Sequence, residues 1–176
     1  MKVKPTSITD TVKINITLVL NALYKRTKLP LFRMFGDILI KWAKTSVDDV
    51  IYVLVDLSSL YIVNPKYERK IAMYLASVPS GAVFIDVGAH IGKYALSLAK
   101  KGAKVIAIEP NPIAFRALML GIELNGFKNI TALNLALSDH DGVAKLYLRR
   151  SSVASTIVNQ NYAYAAKNIP VKNLTP

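Results

Sequence analysis

The sequence predicts an α/β protein organised around a parallel sheet of which only the first strands are present. Three observations carry this reading. Residues 84–111, FIDVGAHIGKYALSLAKKGAKVIAIEPN, run apolar, turn at Gly88–Gly92, become amphipathic, and run apolar again as far as Glu109. That is the layout of a strand–turn–helix–strand unit with its turn at the carboxyl edge of a sheet. A second helix signal and a third apolar run follow, and the chain ends at Pro176, before such a sheet is complete.

In chain order, residues 1–12 read as a polar arm. Residues 14–24 and 29–43 suit two amphipathic helices; in the second, Phe32, Phe35, Leu39 and Trp42 recur at three- and four-residue steps. Such a pair suits packing on the domain behind it, and it also suits a membrane surface. Residues 52–63, rich in β-branched and aromatic side chains, read as one or two strands. Asn64-Pro65 reads as a helix start, with Ile71, Tyr74, Leu75 and Val78 continuing the helix until Pro79-Ser80-Gly81. Residues 83–87 form a short strand buried on both faces. Residues 93–101 form a helix closed by Gly102, and 104–109 the second strand. Residues 112–125 form a helix capped by Asn111 and Gly126, and 130–137 the third strand. Asp141-Gly142 is a turn, and 143–148 an edge or hairpin strand. Beyond Arg150 the pattern weakens. Two regions result: 1–63, helical and hairpin, and 64–176, the partial sheet domain.

Composition narrows the function classes. Hydrophobic residues make up 52%, enough for a core, so wholesale disorder is excluded. The absence of cysteine removes disulfides, thiol nucleophiles and thiolate metal sites, and no metal site is expected. The net charge of +12 is uneven: residues 1–45 hold nine Lys/Arg against two Asp/Glu, residues 46–142 nine against nine, and residues 143–176 five against none. Basic flanks around a neutral centre suit an anionic surface, or are solvated lysines. No secretory signal and no membrane-spanning run are read, so the expectation is a cytoplasmic protein with a peripheral membrane contact through residues 1–45. No nucleic-acid-binding motif is present, so no specific nucleic acid is expected.

The turn holds the chemistry. A helix N-terminus offers unpaired N–H groups and partial positive charge. Gly88 lets the backbone approach a ligand without a Cβ and suits a positive φ; Gly92 lets the helix pack closely on the strand. Asp86 holds the loop or binds a ligand amine, directly or through water. Glu109, 21 positions after Gly88, offers two acceptor oxygens to a pair of ribose hydroxyls and repels a 2′-phosphate; otherwise it is a surface residue at a strand end. His90 stands where a dinucleotide loop has its middle Gly, so a ligand with adenosine and no pyrophosphate fits better.

Asp86-Val-Gly-Ala-His-Ile-Gly92, Glu109-Pro-Asn-Pro112, Glu123-Leu-Asn-Gly126, Asn134-Leu-Ala-Leu-Ser-Asp139 and Tyr67-Glu68 resemble the FkbM-type S-adenosylmethionine-dependent methyltransferases. The resemblance covers about residues 60–158 and departs from the family at His90, where Asn is usual. It implies a Rossmann-like methyltransferase fold, S-adenosyl-L-methionine as cofactor, and O-methylation of a sugar or other small hydroxylated metabolite. By the same resemblance Asp86, Gly88, Ala89 and Gly92 line the methionine and ribose side and Glu109 holds the ribose. Asn111 borders the adenine, with Ala136, Leu137, Ser138 and Asp139 on its other edge. His90 joins this set as a loop residue of the cofactor side rather than a base. Ser155-Thr156 resembles a family region near the active site and equally suits a polar surface loop. No residue identifies itself as a catalytic base.

The resemblance breaks off at residues 171–176, which look like the approach to a fourth strand whose acidic motif is absent. A truncated chain is the favoured explanation; half of a split protein, or an N-terminal region covering the open edge, are the others. The competing functions are accordingly a non-catalytic cofactor-binding remnant and a basic membrane-surface protein, and an oligomer or partner is expected to cover the exposed sheet edge.

Overall fold

The computed structural model describes residues 4–149, 152, 155, 157 and 165–173. Its centre is the expected parallel unit: β4 (Val83–Val87), α5 (Lys93–Lys100), β5 (Lys104–Ile108), α6 (Pro112–Asn125) and β6 (Ile130–Leu133), with strand order β4-β5-β6. Val83 pairs with Lys104 and Val87 with Ile108; Val105 pairs with Ile130 and Ile108 with Leu133. Helix α6 starts where Asn111 Oδ1 accepts the Ile113 N–H and Pro112 presets the first turn, and it ends at Gly126 in the left-handed region.

One face of this sheet is covered. Helix α5 buries Ala95, Leu96, Leu98 and Ala99, and α6 buries Ala117 and Leu118, in one core with Val105 and Ala107. Side chains of the opposite parity on β4, those of Val83, Ile85 and Val87, are exposed.

The N-terminal region comprises β1 (Lys4–Pro5), α1 (Ile8–Thr27), α2 (Pro30–Ile40), β2 (Lys44–Val47), β3 (Val50–Val53), α3 (Leu57–Ile62) and α4 (Arg69–Ala76). Strands β1-β2-β3 form an antiparallel sheet. Val50, Tyr52 and Val53 of β3 join the core of α5 and α6, so residues on both sides of position 63 share one interior. The Asn125 side chain completes the free side of β3: its Oδ1 accepts from Ile51 N (2.8 Å), and its Nδ2 donates to Ile51 O and Gly121 O (2.7 Å each). A side-chain amide thus takes the place of a neighbouring strand.

Several expected elements differ. Within the polar arm, residues 8–12 already belong to α1, because Ser7 caps that helix by accepting the Asp10 N–H (3.0 Å), and Lys4–Pro5 form β1. The second helix stops at Ile40. Trp42, at φ +64, donates its N–H to Leu54 O and leads the chain into the β2–β3 ladder. Residues 52–63 yield one strand end and then α3, whose start is a reciprocal capping box between Asp56 and Ser59 that overrides the β-branched composition. Asn64 does not cap a helix. Its Oδ1 accepts from Lys66 N (2.9 Å), an Asx turn, and α4 begins only at Arg69. The third strand is not continuous to Leu137: Asn134 Nδ2 donates to Glu109 O and Pro110 O and draws the chain away. β7 (Ala136–Leu137) instead enters a third sheet with β8 (Gly142–Leu148) and β9 (Ala165–Lys172), in the order β7-β9-β8. Val171 and Lys172 therefore belong to β9, paired in parallel with Ala136 and Leu137, rather than to a strand beside β4. Pro170 is accommodated because it lies outside the two-residue pairing with β7.

Replacing Asn125 by Leu leaves the Ile51 N–H and C=O without their partners. With about 1–3 kcal/mol for each partly buried group, the expected loss is roughly 2–6 kcal/mol of unfolding free energy in urea, with an unchanged denaturant slope.

Candidate functional site

The loop after β4 runs through three left-handed residues: Gly88 (φ +80), His90 (φ +52) and Gly92 (φ +86). Gly88 N and Ala89 N both donate to Ile108 O at the end of β5 (2.8 and 3.0 Å). A Cβ on Gly88 would meet nothing within 4 Å, so open space lies directly above this backbone. Gly92 is the reverse case. A Cβ there would lie 2.6 Å from Leu118 Cδ1 of α6 and 2.9 Å from Leu96 Cγ. The close approach at Gly92 is thus to the helices rather than to the strand. At His90 the left-handed backbone is one that Asn and His tolerate better than most residues.

Two carboxylates anchor the loop. Asp86 Oδ2 accepts from Ala95 N (3.1 Å) in the first turn of α5, where the helix end favours negative charge. Burial nevertheless pushes its carboxyl up to about 6, the Ala95 N–H acting in the opposite direction. Glu109 is buried beneath the turn. Its Oε2 accepts from His90 N and its Oε1 from Asn111 N, both at 2.7 Å, so one side chain ties the loop after β4 to the loop after β5. Burial pushes Glu109 up to about 7; the Asn111 and His90 N–H groups oppose this and the Asp86 charge adds to it. A carboxylate offers about four acceptor positions, so two remain on Glu109 beyond these N–H groups.

His90 is buried and held neutral, its imidazole lowered to about 4 by burial against the pull of Asp56. Nε2 lies 2.5 Å from Ser152 Oγ, and Ser152 N donates to Asp56 Oδ2 (2.7 Å). Nδ1 is buried with no hydrogen-bond partner among the described residues. Asn111 Nδ2 reaches Ser155 Oγ (3.3 Å), while Thr156 lies outside the described residues. A cleft of about 730 Å³ opens beside Asn111, walled by Val55, Asp56, Ile113, Arg149 and Ser152; neither Gly88 nor Glu109 lines it.

The expected site residues therefore fall into two groups. Asp86, Gly88, Ala89, His90, Gly92, Glu109 and Asn111 are gathered at the carboxyl edge of β4 and β5. Ala136, Leu137 and Ser138 lie in the third sheet: Ala136 packs with Leu146, Leu148, Ile169 and Val171, Ser138 N donates to Lys172 O, and Ser138 Oγ donates to Asp139. Sequence reasoning missed Asp56 and Ser152, which no spacing rule links across 96 positions. It also missed Lys93 and Tyr94. The Lys93 ammonium lies 4.9 Å from both the Tyr67 and Tyr94 rings and donates to Tyr67 O (2.8 Å). The Tyr94 hydroxyl donates to Glu68 Oε2 (2.5 Å). The signal for them was the Tyr67-Glu68 pair, whose partners come from the start of α5.

A parallel α/β unit with acids at the ends of two adjacent strands, a turn that leaves free space above Gly88 and no G-x-G-x-x-G loop has the layout of a nucleoside-binding fold rather than a dinucleotide-binding one. The family model for the TRM5/TYW2 methyltransferase domain matches residues 47–170, and the chain belongs to that family. Methyltransferase sdnD of Sordaria araneosa is 33% identical over 75 residues, covering 41% of this chain and 29% of that protein. The chain thus spans under a third of the length of that relative. Among solved structures, TYW2 of P. horikoshii in complex with MeSAdo is 30% identical over 53% of this chain and 36% of that one, with a TM-score of 0.45. TYW2 of M. jannaschii in complex with AdoMet is 26% identical over 51% and 41%, with a TM-score of 0.43. The methyltransferase part of the expectation stands; the family matched is TRM5/TYW2 rather than the FkbM type.

Asp86→Asn keeps an acceptor for Ala95 N and removes the titration. Because the folded carboxyl titrates near 6 against an ordinary 3.8, the folded state holds more protons between those values. The stability of the wild type relative to Asp86→Asn is therefore expected to fall as pH rises from about 4 to about 6. The total change is on the order of 2–3 kcal/mol, read from urea unfolding at each pH.

Proposed function

We propose that this chain binds S-adenosyl-L-methionine at the Gly88–Gly92 turn and serves a methyl transfer to an oxygen of a small hydroxylated acceptor. The observation that carries the cofactor reading is the buried Glu109 carboxylate under a turn whose Gly88 opens onto free space. The residues present fit such a ligand. Glu109 has acceptor positions left for a pair of hydroxyls. Asp86 and Glu109 together place negative potential at the turn, which suits a ligand carrying ammonium and sulfonium charges. The unpartnered Nδ1 of His90 is a further polar atom for it to meet, and the cleft beside Asn111 has room for a nucleobase. Ala136, Leu137 and Ser138 are assigned to the far edge of the base on the motif resemblance alone.

When bound, the cofactor supplies a methyl group already activated on a sulfonium. The work of the chain is positioning: Glu109 holds two loops in register, Gly88 clears the approach, and Asp86 fixes the first turn of α5. The neutral His90 joins that turn to Ser152, and through it to Asp56. The hydroxylated acceptor, a sugar or a metabolite of similar size, rests on the FkbM-type motifs. A nucleic-acid acceptor is the second reading, favoured by the TRM5/TYW2 family match and by the net charge of +12.

Isothermal titration with S-adenosyl-L-methionine is expected to give one site per chain, and Gly88→Ala to abolish the heat while circular dichroism stays native. No heat from folded wild type would remove the cofactor reading. Transfer of labelled methyl to a panel of hydroxylated metabolites, against total RNA, separates the two acceptor readings.

A further inference from the structure

Helices α1 and α2 form a hairpin joined at Lys28-Leu29, and their polarity is inverted. The side of α1 turned inward buries Asp10, Ile14, Thr17 and Asn21. Three of these four are polar, and each is satisfied there: Asp10 Oδ1 accepts from Lys44 N (2.9 Å), Thr17 Oγ1 donates to Gly36 O (3.2 Å), and Asn21 Nδ2 donates to Tyr61 Oη (3.0 Å). On α2, Asp37 Oδ1 accepts from Leu57 N (3.1 Å), and Arg33 lies 3.9 Å from Asp37.

The outward side is rich in large apolar residues. Along α1 those exposed are Ile8, Val12, Ile16, Leu18, Val19 and Leu23, all but Leu18 at steps of four, four, three and four, with Thr9, Thr11 and Asn15 exposed beside them; Ile8 is 85% exposed and Val19 60%. Along α2 they are Leu31, Met34, Phe35, Ile38 and Leu39, with Ile38 62% exposed. A helix packed on a protein and facing water carries the opposite pattern. The span from Ile8 to Leu23, fifteen helical steps, makes a stripe about 22 Å long, beyond the scatter of single exposed side chains that a surface normally shows. No helix among the described residues is long and apolar enough to cross a membrane.

Charge selects the occupant. Residues 1–45 hold nine Lys/Arg, and their only acids, Asp10 and Asp37, are both taken up by the inward contacts described above. Lys25, Arg26 and Lys28 are exposed together at the hairpin end. Two copies meeting through this face would set like charge against like charge. An anionic surface with an apolar layer beneath it meets both the cations and the stripe.

We infer that the α1–α2 hairpin seats the protein on an anionic lipid bilayer, with Val12, Val19, Phe35 and Ile38 entering the headgroup–acyl boundary and Lys25, Arg26 and Lys28 meeting lipid phosphates and carboxylates. The inference is independent of the methyltransferase reading.

Co-sedimentation of the full chain with phosphatidylcholine vesicles, with and without phosphatidylserine, tests it. Binding is expected with phosphatidylserine and reduced by salt. Replacing Lys25, Arg26 and Lys28 by Gln is expected to lower partitioning roughly a hundredfold, from a factor of about five per cation. The double variant Val19→Asp/Ile38→Asp should lose sedimentation while keeping native circular dichroism and the wild-type response to S-adenosyl-L-methionine. If that variant fails to fold, the triple Gln variant, confined to exposed positions, decides alone. The inference is overturned by no sedimentation with phosphatidylserine vesicles, or by an unchanged partition of the folded variants. It is equally overturned by a wild-type dimer in sedimentation velocity that the double variant dissolves, which would give the face to a second copy.

Discussion

The arrangement at the sheet edge depends on one side chain accepting two backbone hydrogen bonds. Glu109 receives the N–H of His90 on one oxygen and that of Asn111 on the other. Those residues belong to different loops, one leaving β4 and one leaving β5. Neither N–H has a helical or strand partner, so without the carboxylate both would be buried donors lacking an acceptor. The cost of placing this acid inside the protein shows in its ionisation, pushed up to about 7. The protein therefore keeps a partly ionised carboxylate at neutral pH beside a turn that opens onto free space. That combination suits recognition better than it suits stability alone.

A second set of ties runs from the loop toward the N-terminal region. His90 meets Ser152, and Ser152 meets the Asp56 that starts α3. Asn125 fastens β3 to the end of α6. Together these contacts make the N-terminal sheet a support for the site rather than an appendage. The α1–α2 hairpin stands apart in character. Asp10, Thr17, Asn21 and Asp37 make their hydrogen bonds inward while Val12, Val19, Phe35 and Ile38 are left exposed, so the same region that steadies the site also presents a surface of different chemistry.

The elements of residues 83–126 were legible in the sequence because local signals agree there, although the apolar run 83–87 reads as a strand buried on both faces and Val83, Ile85 and Val87 are exposed. The apolar runs end in acids, Asn111-Pro112 starts a helix and Gly126 stops it, and every one of these is a short-range rule. Elsewhere local signals compete. The Asp56–Ser59 capping box overrides a β-branched run, and the Asn64 side chain prefers an Asx turn to a cap. Ala136 and Leu137 leave the third strand because Asn134 bonds back to Glu109 O, a contact 25 positions away. The periodicity of α1 and α2 revealed helices with an apolar stripe, but periodicity does not say which side of a helix meets the protein. Within the site, the positions of Asp86, Gly88 and Glu109 followed from their place at strand ends. The partners of His90 did not, since a hydrogen bond spanning 62 positions leaves no mark on spacing.

Carbon-13 carboxyl NMR of Glu109, titrated between pH 4 and 9 together with the amide protons of His90 and Asn111, addresses the carboxylate most directly. The account predicts a carboxyl midpoint near 7, with both amide protons moving at that same midpoint because both point at the same side chain. A midpoint near the ordinary 4.5, or amide protons that ignore the titration, would contradict it.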